Sequence, residues 1–183
     1  MSEKEKMING EMYNPNDKEL IEDRKYAKKL CYDFNQTLPS PKTIRREIIK
    51  KLFGKTTDKF IIETTFNCDY GYNIEIGDNF FANYNLVILD CAKVTFGDNV
   101  FIGPNCGFYT AEHPIDAKQR ASWMEYAKPI KVGSDVWIGG GVSVLSGVTI
   151  GDNVVIGAGS VVVKDIPSNS IAVGNPCKVI KKI

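Results

Sequence analysis

The chain has 183 residues, 43% of them hydrophobic and 25% charged, a composition that excludes a disordered polymer and fits a folded globular protein. Its 23 basic and 22 acidic residues nearly cancel, so bulk charge gives no reason to expect nucleic acid or an anionic membrane as partner. No apolar run approaches a membrane span, and the opening "MSEKEKMING" lacks the apolar core of a secretory signal, so a cytoplasmic protein is expected.

The first 55 residues read as helix. In "NDKELIEDRKYAKKLCYDFNQ" the apolar residues Leu20, Ile21, Ala27, Leu30, Cys31 and Phe34 recur at helical steps, with Asn16 or Asp17 available as N-cap. A second helix is predicted in "SPKTIRREIIKKLFG". Ser40 is its candidate cap, Pro41 suits its first position, Ile44, Ile48 and Leu52 form its stripe, and Gly54 ends it. Two short helices bury little by themselves, so they are expected to pack on the remainder of the chain. The five cysteines, Cys31, Cys68, Cys91, Cys106 and Cys177, lie far apart with no CxxC pair. They are read as reduced thiols, and no metal centre is expected.

From about Ile74 the pattern changes. Aliphatic residues recur every six positions at Val132, Ile138, Val144, Ile150, Ile156 and Val162, each with a companion two residues earlier. Earlier runs use Ile76, Ala82, Ile88 and Val94, then Phe96, Ile102 and Phe108. Two apolar residues separated by one fit a very short strand, and the Gly, Asp and Asn between the pairs fit tight corners. A strand and a corner every six residues describe a prism wound from three sides, which is a parallel β-helix. A β-sandwich would have longer strands and less regular turns. The predicted organisation is a helical segment over residues 1–55 and a β-helix over residues 56–183.

The register locates one interruption. Phe96, Ile102 and Phe108 fill three sides of a coil, yet the pattern resumes only at Val132, 18 residues late. The excess must leave the prism as a loop over about residues 109–129. That loop, "FYTAEHPIDAKQR" and onward, holds the only histidine of the chain, His113. Long loops in compact domains are commonly functional, and imidazole suits a general base. From placement alone, base and bystander weigh equally. One histidine position cannot build a zinc site of several histidines.

The segments "NFFANYNLVILD", "YTAEHPID", "VWIGGGV", "VTIGDNVVIGAGSVVVKDIP" and "VGNPCKVIKKI", with the N-terminal "EKEKMINGEMYNPNDKEL", resemble the hexapeptide-repeat sugar O-acetyltransferases, especially those acting on maltose and galactosides. The resemblance covers nearly the whole chain. It implies a left-handed winding, transfer of acetyl from acetyl-CoA to a sugar hydroxyl in a ternary complex, and a homotrimer with active sites between subunits. Three flat faces suit packing about a threefold axis. By the same resemblance His113 is the general base. Asn83 binds the acceptor or supports the transition state, and Asp69 and Asn85 contact the acceptor. Glu125 is a candidate to orient His113.

For acetyl-CoA the resemblance points to Gly140, Ala158, Val163, Lys164, Lys178 and Lys181, with Trp137 as an outward indole beside the cofactor groove or a subunit contact. The galactoside enzymes carry acids at the positions of Pro15 and Cys91, and the absence of the second here matches the maltose type. The expected partners are acetyl-CoA and a small sugar such as maltose or glucose. The rival readings are a non-sugar alcohol as acceptor and a catalytically idle scaffold.

Overall fold

Ser2 and Glu5 close a reciprocal cap, the Glu5 N–H on the Ser2 hydroxyl (3.1 Å) and the Ser2 N–H on the Glu5 carboxylate (2.7 Å), and this starts a short helix that the hydrophobic periodicity does not announce. The computed structural model describes residues 1–40 and 42–183, so the expected role of Pro41 lies outside the described residues. The helices are α1 (Glu3–Ile8), α2 (Lys18–Gln36) and α3 (Lys42–Leu52). Asp17 caps α2 by accepting the Glu19 N–H at 3.0 Å. Helix α2 buries Leu20, Ala27, Leu30, Cys31 and Phe34. Helix α3 is rotated from the expected stripe. Ile44 is exposed, and the buried face is Arg45, Ile49 and Leu52. The reason is Arg45, whose guanidinium lies over the Phe34 ring (4.6 Å) and donates to the Ile62 carbonyl (3.2 Å).

The β-helix begins at Phe60, two strands before the position the repeat suggests. Its first face stacks Phe60–Ile62, Phe80–Ala82, Phe101–Ile102, Val136–Ile138, Val154–Ile156 and Ser170–Val173 in parallel register. The second face stacks Phe66–Cys68, Leu86–Leu89, Gly107–Tyr109, Ser143–Val144 and Val161–Val162. The third stacks Ile74–Ile76, Val94–Phe96, Ile130–Val132 and Thr149–Ile150. A last strand, Lys178–Lys182, turns back antiparallel along Ser170–Val173. Among the described residues, no helix is long and apolar enough to cross a membrane.

Coil length varies, which corrects one register. Corner partners in the upper coils are 20 residues apart, against 18 and then 16 lower down. Ile76 therefore pairs with Phe96, and Val94 pairs with Ile74. The two additional residues sit at the corner between second and third faces, where Asp69 and Asp90 lie. The interruption behaves as counted: Phe108 pairs with Val144 and Ile102 with Ile138, so the prism continues in register beneath the expelled loop.

The corner between third and first faces is held by Asn79, Asn99, Asp135, Asn153 and Asn169, all at φ between 52° and 58°. Asn and Asp tolerate this left-handed backbone because their short polar side chains bond locally. Here the amides also ladder between coils, Asn79 to Asn99 at 3.0 Å and Asn99 to Asp135 at 2.8 Å.

Inside, Phe80, Phe96 and Phe108 stack edge to face at centroid distances of 5.2 and 5.0 Å. Outside, the faces differ. The third presents Glu75, Thr95, Lys131 and Thr149. The first presents an apolar stripe in register, Ile61, Phe81, Phe101, Trp137, Val155 and Ile171. Trp137 is 59% exposed and Phe101 42%. Phe108→Ala removes a fully buried ring at the level where the loop departs. It is expected to cost about 3–5 kcal/mol of stability and to lower the calorimetric Tm by roughly 10 °C.

Candidate active site

Thr110 is the last residue of the prism before the loop. Its hydroxyl donates to the Leu89 carbonyl (2.6 Å) and accepts the Ala92 N–H (3.0 Å), which ties it to the coil above. The loop then folds on itself. Ala111–Glu112 pairs antiparallel with Tyr126–Ala127, and a single helical turn, α4 (Ala117–Arg120), is capped by Asp116. Glu112 anchors the hairpin to neighbouring chain by accepting from Lys128 Nζ (3.1 Å) and the Ser146 hydroxyl.

His113 leaves this hairpin with its side chain 50% exposed. Its Nε2 lies 3.9 Å from Glu125 Oε1. The other oxygen of Glu125 accepts the Tyr13 hydroxyl at 2.8 Å. A half-exposed imidazole beside a fixed carboxylate can take a proton from a substrate and have the resulting cation stabilised.

Beside the base of the loop lies a polar corner. Asp90 is fully buried and accepts the backbone N–H groups of Asp69 (3.0 Å) and Tyr70 (2.9 Å) on Oδ1. Its Oδ2 has no partner among the described residues. Burial pushes its carboxyl up to about 6. Asp69 is also raised by burial, and the Cys91 thiol donates to its Oδ2 at 3.6 Å. Burial raises the Tyr13, Tyr70 and Cys91 groups, so all three stay neutral. Arg24 donates to the Tyr70 hydroxyl at 2.6 Å. The corner therefore gathers carboxylates, phenols and a thiol, of which the partly exposed Asp69 carboxylate can accept hydroxyl donors from a polyhydroxylated ligand.

Asn83 stands elsewhere, at the corner between first and second faces. Its N–H donates to the Ile102 carbonyl (2.9 Å), and its side-chain oxygen accepts the Tyr84 N–H (2.8 Å). Below it Gly103, Gly139 and Gly157 continue the same column. A Cβ on Gly103 would lie 2.6 Å from the Gly140 nitrogen, and one on Gly139 would lie 2.6 Å from the Ala158 nitrogen. Only glycine permits that approach. The result is an edge of bare backbone running past Gly140 and Ala158, with Trp137 on the adjoining face. Asn85 also lies at this corner, but its amide is occupied, accepting from Thr65 Oγ1 (3.0 Å) and donating to Asn105 (2.9 Å).

Val163 and Lys164 lie below the loop at the second-to-third corner. Lys178 and Lys181 are exposed on the final strand. Within one chain the residues thus sort to two edges. Asp69, His113, Val163 and Lys164 share one edge; Asn83, Asn85, Gly140 and Ala158 share the other. The strands of the second face separate them. Sequence reasoning missed Tyr13 and Asp90 as neighbours of the site, because both arrive through long-range contacts that no local spacing encodes.

Residues 6–57 match the family model of the maltose acetyltransferase hexapeptide capping motif, and residues 129–164 match the bacterial transferase hexapeptide of six repeats. A candidate acetyltransferase of Saccharomyces cerevisiae is 55% identical over 98% of this chain and 92% of that protein. The chain belongs to the maltose and galactoside type of hexapeptide-repeat acetyltransferases. The crystal structure of a maltose O-acetyltransferase from Clostridium difficile 630 superposes with a TM-score of 0.99 at 56% identity, covering 100% of this chain and 98% of that one. A galactoside acetyltransferase in complex with coenzyme A superposes at 0.96 with 43% identity, covering 100% and 92%. This hexapeptide-repeat acetyltransferase is accordingly an acyltransferase.

Asp90 yields a signed prediction. Its folded carboxyl titrates above its unfolded value, so its contribution to stability is full below about pH 4 and lost as pH rises through about 6, on the order of 3 kcal/mol. Asp90→Asn is expected to remove that part of the pH dependence. Chemical denaturation at about pH 4.5 and about pH 7.5 checks it: the wild-type difference should shrink in the variant.

Proposed function

We propose that the chain transfers acetyl from acetyl-CoA to a hydroxyl of a mono- or disaccharide of the maltose or glucose kind. The observation that carries this reading is the lone histidine, held on the expelled loop with a carboxylate at ion-pair distance beside its ring. His113 removes the proton from the acceptor hydroxyl as the oxygen attacks the thioester carbonyl. The carbonyl electrons move onto oxygen, the C–S bond then breaks, and the sulfur takes the proton from the imidazolium. Asp69 receives acceptor hydroxyls, and the buried Tyr13, Tyr70 and Cys91 behind it hold its corner without like-charge repulsion. Asn83 supports the acceptor or the developing oxyanion.

The side-chain-free edge past Gly140 and Ala158 suits an extended pantetheine arm, whose amides find backbone partners there. The coenzyme A held by the galactoside relative supports the same use of this chain. Lys164, Lys178 and Lys181 supply point charges for its phosphates. On one prism the strands of the second face stand between the two edges. A homotrimer solves this by setting the Asn83 edge of one subunit against the His113 edge of the next. The apolar stripe on the first face, centred on Trp137 and Phe101, supplies the contact.

Two experiments test the reading. His113→Ala is expected to lower kcat with acetyl-CoA and a panel of sugars by about 10²–10⁴, read as thiol release, while thermal stability stays near wild type. Equal turnover would sink the base assignment. Trp137→Glu places a charge in the apolar stripe, and light scattering should report a monomer in place of a trimer, with activity lost alongside.

A further inference from the structure

The N-terminal segment straps the loop down. Met7, Tyr13 and Leu20 form a second small core with Tyr70, Cys91, Ala92 and Ala127, the last of these on the loop hairpin. Within this core Tyr13 has no exposed surface. Its backbone N–H donates to the Glu125 carbonyl at 2.9 Å, and its carbonyl accepts the Glu125 N–H at 3.1 Å. Its hydroxyl, 112 residues away in sequence, donates to Glu125 Oε2 at 2.8 Å. One residue therefore holds both the backbone and the side chain of Glu125, whose remaining oxygen faces His113 Nε2.

We propose that Tyr13 is a positioning residue for catalysis, locking the Glu125 carboxylate in the rotamer that addresses His113. The proposal rests on His113 as the general base. A phenylalanine would fill the small core equally well, so the hydroxyl is not needed for packing. A phenol bonded to one carboxylate oxygen stops the group from turning toward solvent and leaves the other oxygen for the imidazole. On its far side Tyr13 lies beside Cys91, whose thiol donates to Asp69. A continuous line of contacts thus runs from the acceptor-side carboxylate to the base, with Tyr13 at its middle. The N-terminal segment, remote in sequence from the loop, sets the geometry of the catalytic ring.

The test compares Tyr13→Phe, Glu125→Gln, the double variant and His113→Ala in the full chain, with acetyl-CoA and maltose as the probe substrates. Tyr13→Phe keeps the ring and both backbone bonds, and Glu125→Gln keeps the backbone bridge, so all variants should fold, checked by their Tm. Each single variant is expected to lower kcat about tenfold, with the KM for acetyl-CoA unchanged, because neither side chain lies on the Gly140 edge. In the Glu125→Gln background the Tyr13→Phe change should add little. A wild-type kcat for Tyr13→Phe, or a loss that adds fully to that of Glu125→Gln, overturns the proposal provided His113→Ala is inactive. An active His113→Ala instead removes the premise.

Discussion

Everything in this molecule depends on the parallel hydrogen-bonded register between successive coils. Each coil passes N–H groups to carbonyls of the coils above and below it, and each buries its inward side chains on those of its neighbours. Because that stack is rigid, a length of chain equal to one coil can be expelled without disturbing the layers on either side. Phe108 still finds Val144, and Ile102 still finds Ile138. The loop is thereby fastened at both ends to an unyielding platform, which fixes where His113 stands.

The same register sorts the chemistry. Corners repeat in columns, so residues at equivalent positions of different coils share one edge of the prism. One column provides glycine and bare backbone, another provides a buried polar corner with Asp69 and Asp90. The additional residues of the upper coils fall at the polar corner, so the solenoid is longer in sequence where Asp69 and Asp90 lie. Asp90 illustrates the cost: a fully buried carboxyl is tolerated because its Oδ1 fixes the turn that presents Asp69.

Much of this architecture is legible in the sequence. The six-residue period specifies the prism, its corners and the position of the expelled loop, because inward alternation and left-handed corners demand particular residue types. Two registers depart from the periodicity for identifiable reasons. Helix α3 is turned because an arginine, which hydropathy counts as polar, buries its stem and stacks on Phe34. The upper coils are longer than the six-residue count implies, and the count goes astray because Val94 and Phe96 are both apolar and both inward. Periodicity carries no trace of Tyr13 or Asp90. Their roles come from contacts between segments far apart in sequence, which only the folded chain brings together.

A parallel solenoid exposes an unpaired strand at each end, and nothing in its repeat tells it where to stop. Here the last strand reverses direction and runs back along Ser170–Val173, carrying Lys178, Lys181 and Lys182. At the other end the three helices lie against the first coils. A second copy approaching the lower end finds an antiparallel, positively charged border in place of a parallel template. The reversed strand thus covers the first face's parallel edge, so that edge offers no continuation of the coil pattern to a neighbour.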